Sequence, residues 1–227
     1  MGRSKQYWEE RLGKSWTLRL KDTLRSDYGE KLVDWINERY SKEVTLPEKE
    51  NIFKAFRHTP FEDVKVVIIG QDPYPDGNAT GLAFGNNTDK FYFNPSLMNI
   101  FHCIEEKFYN GLTFDFDWTL ESWANQGVLL LNTALTVKKG YPGSHSRPWV
   151  DFIKAVIQAL NNYSSGIIFM LWGNHAKKVG KLVSENHYKL ECEHPVAASY
   201  GLRPWRCDNF EEANKILLKN NNLEIKW

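Results

Sequence analysis

Several absences narrow the reading of this chain before any motif is considered. Its 227 residues hold only three cysteines, Cys103, Cys192 and Cys207. They are odd in number and widely spaced, which argues against a disulfide framework and for a reducing compartment such as the cytoplasm. Without a fourth they cannot form a four-thiolate zinc or iron–sulfur site. Cys192 and His194 supply two metal ligands with no nearby third, so no metal is expected. No apolar run approaches the length of a membrane span, and no membrane association is expected. The opening residues, with Lys5, Glu9, Glu10 and Arg11, lack the apolar core of a signal peptide. Charge of one sign is not in excess: 29 Lys and Arg face 28 Asp and Glu, so any face for nucleic acid has to be local. There is no Gly/Ser/Pro-rich linker, no repeat and no low-complexity stretch. Residues 1–227 therefore read as a single domain, expected to be a monomer.

Apolar and aromatic residues, by contrast, are plentiful. Hydrophobic residues make up 42% of the chain, enough for a sizeable core. Trp8, Trp16 and Trp35 fall in helical patterns and read as packing residues. Four short apolar runs read as strands: Val64–Ile69, Val128–Leu131 closing on Asn132, Ile167–Leu171, and Tyr188–Cys192. Helices are expected over Thr17–Tyr40 with a break near Tyr28-Gly29, then Pro47–Phe56, Pro95–Phe108, Arg147–Leu160, Asn174–Glu185 and Phe210–Lys219. Asn94 is a candidate N-cap, with Pro95 at the first helical position. Strands alternating with helices argue an α/β fold: a three-layer α/β/α arrangement around a four-stranded, mostly parallel sheet. Between Gly70 and Asn94 lies an irregular stretch too long for a plain connection, as functional loops often are.

The first strand runs directly into Gly70-Gln71-Asp72-Pro73-Tyr74-Pro75. Two prolines fix backbone torsions on either side of Tyr74, so a carboxylate and a phenol are presented on a stiff frame. The other strands end on Asn132, on Gly173-Asn174 and on His194. In a parallel sheet these ends share one edge, where ligands bind. A carboxylate, an amide, an imidazole and an aromatic suit a small planar molecule or a base. Taken singly, each has a plainer reading: Asp72 as a turn carboxylate, Asn132 as a strand cap, His194 as a structural histidine, Phe84 as core. Lys177, Lys178 and Lys181 read as a solvated helix face; Lys138, Lys139, Arg147, Arg203 and Arg206 are better phosphate candidates.

The Gly70–Tyr74 run resembles the water-activating motif of family 1 uracil-DNA glycosylases. The resemblance continues, in order and spacing, through Gly81-Leu82-Ala83-Phe84, Asn94-Pro95-Ser96-Leu97, Leu129-Leu130-Leu131-Asn132-Thr133, Trp172-Gly173-Asn174 and His194-Pro195. It spans nearly the whole chain. It implies hydrolysis of the N-glycosidic bond of deoxyuridine in DNA, with no cofactor. Asp72 would orient the water, and His194 would donate to uracil O2. Asn132 would read uracil O4 and N3–H, and Tyr74 would exclude the thymine methyl. Phe84 would stack on the base, and the Gln71 backbone would contact O2. DNA contacts are implied at Ser96, Asn174, Val196, Ala198 and Ser199. Partners implied are uracil-containing DNA, single- or double-stranded, and a small acidic inhibitor protein that mimics DNA. Competing readings are a glycosylase for another altered base, and a DNA-binding accessory module without catalysis.

The chain departs from the family pattern where DNA would be opened. The family's His-Pro-Ser-Pro-Leu-Ser reads here His194-Pro195-Val196-Ala197-Ala198-Ser199, so Ala198 occupies the place of the leucine wedge. Pro75 replaces a histidine, and Asn174 a serine. With Ala198 as wedge, single-stranded and G·U substrates are expected to be favoured over A·U pairs. Tyr200, Leu202 and Arg203 are alternative wedges in the same loop.

Overall fold

All four apolar runs pair side by side in one parallel sheet. The computed structural model describes residues 5–87, 94–112 and 115–227. Helices α1 (Lys5–Leu12), α2 (Lys14–Arg19), α3 (Lys21–Leu24) and α4 (Asp27–Lys42) open the chain. Strand β1 (Thr45–Leu46) and helix α5 (Lys54–His58) lead to β2 (Val66–Gly70). Next come α6 (Pro95–Phe108), α7 (Glu121–Ala124), β3 (Val128–Asn132), β4 (Val137–Lys138) and α8 (Ser146–Tyr163). The remaining elements are β5 (Ile168–Trp172), α9 (Gly173–Gly180), β6 (Tyr188–Cys192), α10 (Pro195–Tyr200) and α11 (Asn209–Lys219).

The main sheet has the order β3-β2-β5-β6, and every pairing in it is parallel. Every residue of β2, β3 and β5 is buried, which is why these strands read as unbroken apolar runs rather than alternating ones. Helix α8 turns Trp149, Phe152, Ile153, Val156, Ile157 and Leu160 inward. Burying each such side chain contributes roughly 1.5–3 kcal/mol. β1 pairs with β4 in a separate antiparallel ladder, Thr45 opposite Lys138.

Several expectations need correction. The break in the N-terminal helical region falls at Arg25-Ser26, not at Tyr28-Gly29. Ser26 caps α4, its Oγ accepting from Gly29 N at 3.4 Å. Gly29 sits inside α4 because a Cβ there would meet Leu24 O at 2.5 Å: it is a close approach, not a breaker. The expected helix over Pro47–Phe56 is a 3-10 turn at Lys49–Asn51 followed by α5. The helix expected to reach Glu185 stops at Gly180. Asn94 precedes α6 but makes no capping bond; its Nδ2 donates to Asn86 Oδ1 at 2.9 Å instead. Helices α1, α7 and α10 and the β1–β4 ladder were not expected. Of the irregular stretch Gly70–Asn94, residues 88–93 lie outside the described residues. Among the described residues no helix is long and apolar enough to cross a membrane.

Candidate active site

Register decides the first wall of the site. Gly70, the last residue of β2, stands opposite Asn132, the last residue of β3. The pair is tight: a Cβ on Gly70 would lie 2.2 Å from Asn132 Oδ1. Only glycine lets the Asn132 amide lie across the end of the neighbouring strand. Asn132 is buried, and among the described residues no hydrogen bond engages its amide. The amide is therefore left to read something else.

After Gly70 the chain turns through Gln71–Pro75, and hydrogen bonds hold this loop from two directions. Thr133 N donates to Gly70 O at 3.1 Å and Ala134 N to Gln71 O at 2.9 Å. From the other side, Gly140 N donates to Pro75 O at 2.9 Å and Gly143 N to Asp72 Oδ2 at 2.5 Å. The segment carrying Gly140 and Gly143 is itself anchored through His145. That ring contacts Thr136 Oγ1 at 3.1 Å and Glu43 Oε1 at 3.2 Å. Burial raises the Asp72 carboxyl above the ordinary aspartate value, against the opposing pull of the Gly143 N–H and the charge of His175.

The second wall comes from the far side of β5. Gly173, with φ +80°, opens α9, and a Cβ on it would lie 2.8 Å from His194 Cβ. His194 precedes α10, and its Nδ1 accepts from Val196 N at 3.2 Å. A backbone N–H can only donate, so in the neutral ring the proton sits on Nε2. Burial pushes the His194 pKa below that of ordinary histidine, and the charge of His175 pushes the same way. The ring therefore stays neutral at physiological pH and is a donor through Nε2.

Phe84 lies between the walls, its ring 5.5 Å from Trp172 and 6.0 Å from His194. Its φ of +65° is a left-handed conformation that a bulky side chain seldom adopts. Tyr74 Oη donates to Phe84 O at 3.4 Å. Gln71, Asp72, Tyr74, Phe84, Ser96, Asn132 and His194 line one cavity of about 180 Å³. A wider groove of about 1210 Å³ runs by the C-terminal residues, lined by Phe101, Trp123 and Trp227 among others, and holds none of these groups.

The residues expected to contact DNA divide. Asn174 is exposed at the start of α9, and Ser96 lines the cavity from the first turn of α6. Val196 is half-buried, and Ser199 Oγ accepts from Asn99 Nδ2 at 2.7 Å, which ties it to α6. Ala198 is 0% exposed, packed where α10 lies on α6, and its side chain is not offered to solvent. The expectation that Ala198 is the wedge does not fit this burial. Arg203 is clamped to both carboxylate oxygens of Glu193, at 2.6 and 2.5 Å. Tyr200 and Leu202 of the same loop are 82% and 95% exposed. Lys138 pairs with Glu43 and Lys177 with Glu191, while Lys139 and Arg147 make no ion pair among the described residues. Gly143, Thr133 and His175 were missed as site residues, although Thr133 closes the quoted motif that carries Asn132 and His175 directly follows the one that ends at Asn174. Among the described residues no group of three His, Cys, Asp or Glu side chains could hold a metal.

Comparison with known proteins points the same way. The sequence model described as "Uracil DNA glycosylase superfamily" matches residues 56–218. The uracil-DNA glycosylase of Oceanobacillus iheyensis is 41% identical over 223 residues, covering 96% of each chain. That of Fusobacterium nucleatum is 39% identical over 220 residues, again covering 96% of each. Among solved structures, mimivirus uracil-DNA glycosylase superposes with a TM-score of 0.85 at 26% identity, covering 99% of this chain and 89% of that one. A variant of mimivirus UNG in complex with UGI has a TM-score of 0.86 at 25% identity, covering 99% and 91%. The match runs through the strand ends that build both walls of the cavity, and the chain belongs to the uracil DNA glycosylase superfamily.

Proposed function

We propose that this protein is a monofunctional uracil-DNA glycosylase that flips deoxyuridine out of DNA, hydrolyses its N-glycosidic bond and leaves an abasic site. One observation carries the assignment of roles. Asp72, Asn132 and His194 line one cavity, with His194 Nδ1 already engaged and Nε2–H free to donate. As the C1′–N1 bond breaks, its electron pair leaves with uracil and the sugar becomes cationic. His194 Nε2–H then meets the charge growing on O2, a donation commonly worth about 2.7–4 kcal/mol. Asp72, ionised, orients a water toward C1′, takes its proton as the C–O bond forms, and stabilises the sugar cation. Asn132 donates to O4 and accepts from N3–H; cytosine presents the reverse pattern and leaves both groups unpaired. Tyr74 stands against C5, where a thymine methyl would clash. Phe84 stacks on the base, worth about 1–3 kcal/mol in comparable sites.

The tip of the loop after α10 is the part that enters the base stack. The exposure of Tyr200 and Leu202 supports them as the wedge, and the Glu193 clamp supports Arg203 as a brace rather than a probe. The expected preference for single strands and G·U over A·U pairs rested on Ala198 as wedge; with Tyr200 and Leu202, two of the alternative wedges, exposed at the tip, A·U pairs are substrates as well as single strands. Asn174, Ser96, Lys139 and Arg147 are proposed to contact the DNA backbone. An acidic protein of the kind that mimics DNA would compete for this face, in line with the mimivirus relative crystallised with UGI.

The assay is direct. Oligonucleotides carrying U, T, C or hypoxanthine are incubated with the protein and treated with alkali. Strand scission at U alone is expected, with Asp72→Asn slower by about 10²–10⁴-fold. Scission at hypoxanthine but not U, or full activity in Asp72→Asn, would overturn the reading.

A further inference from the structure

A second imidazole stands near Asp72 that none of these roles uses. His175 lies in the first turn of α9, and its Nε2 is 2.6 Å from Thr133 Oγ1. Thr133 Oγ1 is 2.8 Å from Gln71 O. Two oxygens at that distance repel unless a proton lies between them, and a carbonyl has none to give. The single hydroxyl proton of Thr133 therefore points at Gln71 O. The hydroxyl can then only accept from His175, which puts a proton on His175 Nε2. The donors run in series: His175 Nε2–H to Thr133 Oγ1–H to the Gln71 carbonyl.

That carbonyl also accepts from Ala134 N at 2.9 Å, so both of its lone pairs are used. It belongs to the peptide that joins Gln71 to Asp72. The plane from which Asp72 departs is thus held by Thr133 and Ala134, while its carboxylate is held by Gly143 N–H. Thr133 and Ala134 directly follow Asn132, so the relay also couples this plane to the strand that carries the amide. Bonds in series strengthen one another, and an end member exposed to solvent is the easiest to remove without disturbing packing. His175 is exposed and makes no part of the core.

We infer that His175 is a positioning residue: through Thr133 it fixes the Gln71–Asp72 peptide in the orientation from which the Asp72 carboxylate reaches the attacking water. The inference rests on the assignment of the water to Asp72. Its scope is the chemical step, so single-stranded uracil oligonucleotide is the substrate of choice, because no duplex opening then intervenes.

The test compares His175→Ala, His175→Gln, Thr133→Val and the His175→Ala/Thr133→Val double variant in steady state, each with its melting temperature. A misplacement of about 1 Å can cost on the order of a hundredfold, so kcat is expected to fall roughly ten- to a hundredfold in His175→Ala and Thr133→Val. KM and melting temperature should stay near wild type. His175→Gln places an amide N–H close to the position of Nε2 and should recover most of kcat. The double variant should fall no further than the worse single one, because both break one relay. Wild-type kcat in His175→Ala, a loss confined to KM, no recovery in His175→Gln, or multiplicative losses in the double variant would each overturn the relay. Asp72→Asn is run alongside: if it keeps full activity, the assignment of Asp72 fails and the relay with it. If it is inactive while His175→Ala is fully active, only the relay fails.

Discussion

Asp72 and Asn132 leave adjacent strands of a parallel sheet, whereas His194 leads a six-residue helix that ends in the exposed tip Tyr200–Leu202. The first wall is held by the ladder itself: β2 and β3 are buried throughout, Gly70 is paired with Asn132, and backbone donors fasten the loop that follows. The second wall is held by side-chain contacts. Trp205 Nε1 donates to Glu193 O at 3.1 Å, Arg203 clamps Glu193, and Asn99 reaches across from α6 to Pro195 O at 2.8 Å. The residues proposed to hold the water and read the base thus sit at the ends of buried, paired strands, and the tip proposed to enter the base stack sits on a loop braced by side chains. That division suits an enzyme whose reacting atoms tolerate little displacement while its DNA surface must accommodate an opened helix.

The largest effect that would test this contrast lies at the junction of the walls. His194→Ala should lower kcat by about 10²–10³-fold, the usual cost of one preorganised donor, with the wild-type rate insensitive to pH around neutrality because the imidazole is already uncharged. A rate that climbs as pH falls through the ordinary histidine range would refute the neutral donor. The acid limb of the kcat profile belongs to Asp72 instead. Because burial raises its pKa, that limb should lie above the ordinary aspartate range, and it should vanish from the residual activity of Asp72→Asn. The sign for stability is opposite to that of a salt-bridged carboxylate. The folded state holds the Asp72 proton more tightly than the unfolded one, so stability falls as pH rises from the ordinary value through the raised one. Asp72→Asn should therefore melt higher than wild type at neutral pH, the stability cost of a functional carboxylate.

A smaller effect separates the tip from the walls. Replacing Tyr200 and Leu202 together by Ala removes the exposed apolar surface that would fill the vacated stack. Unstacking costs a few kcal/mol, so cleavage of A·U duplexes should drop by about tenfold or more while single-stranded cleavage holds. An equal drop on both substrates would place these side chains in the chemistry rather than in duplex opening. The smallest effect on rate, but a clear one on stability, is expected at Ala198. Leucine there would overpack the α10–α6 contact and destabilise the fold by about 1–3 kcal/mol, with no gain on duplex DNA. Faster duplex cleavage by Ala198→Leu at unchanged melting temperature would restore Ala198 to the wedge position.

Much of this was legible in the residues alone. Continuous apolar runs mark strands buried on both faces, and their polar ends must share an edge if the strands are parallel, so Asp72, Asn132 and His194 could be grouped without coordinates. Strand limits were read within a residue or two. What escaped reading has a common origin in contacts distant in sequence. Gly29 looks like a breaker until Leu24 O is seen pressed against it, and Ala198 looks like a shortened wedge until α6 is seen covering it. The backbone N–H of Gly143 is invisible in any side-chain pattern, yet it is the group that grips Asp72. His175 looks like one more polar residue on a lysine-rich helix.

The sequence by itself determined the sheet, because burial pattern and stiff turn chemistry are local properties of the chain, and the order of its motifs carried the resemblance that implies the reaction. Only the tertiary structure decided which nitrogen of His194 carries the proton, which side chains at the loop tip are free, and how the Gln71–Asp72 peptide is held. Those are questions of direction and distance between segments tens of residues apart, and register and packing answer them.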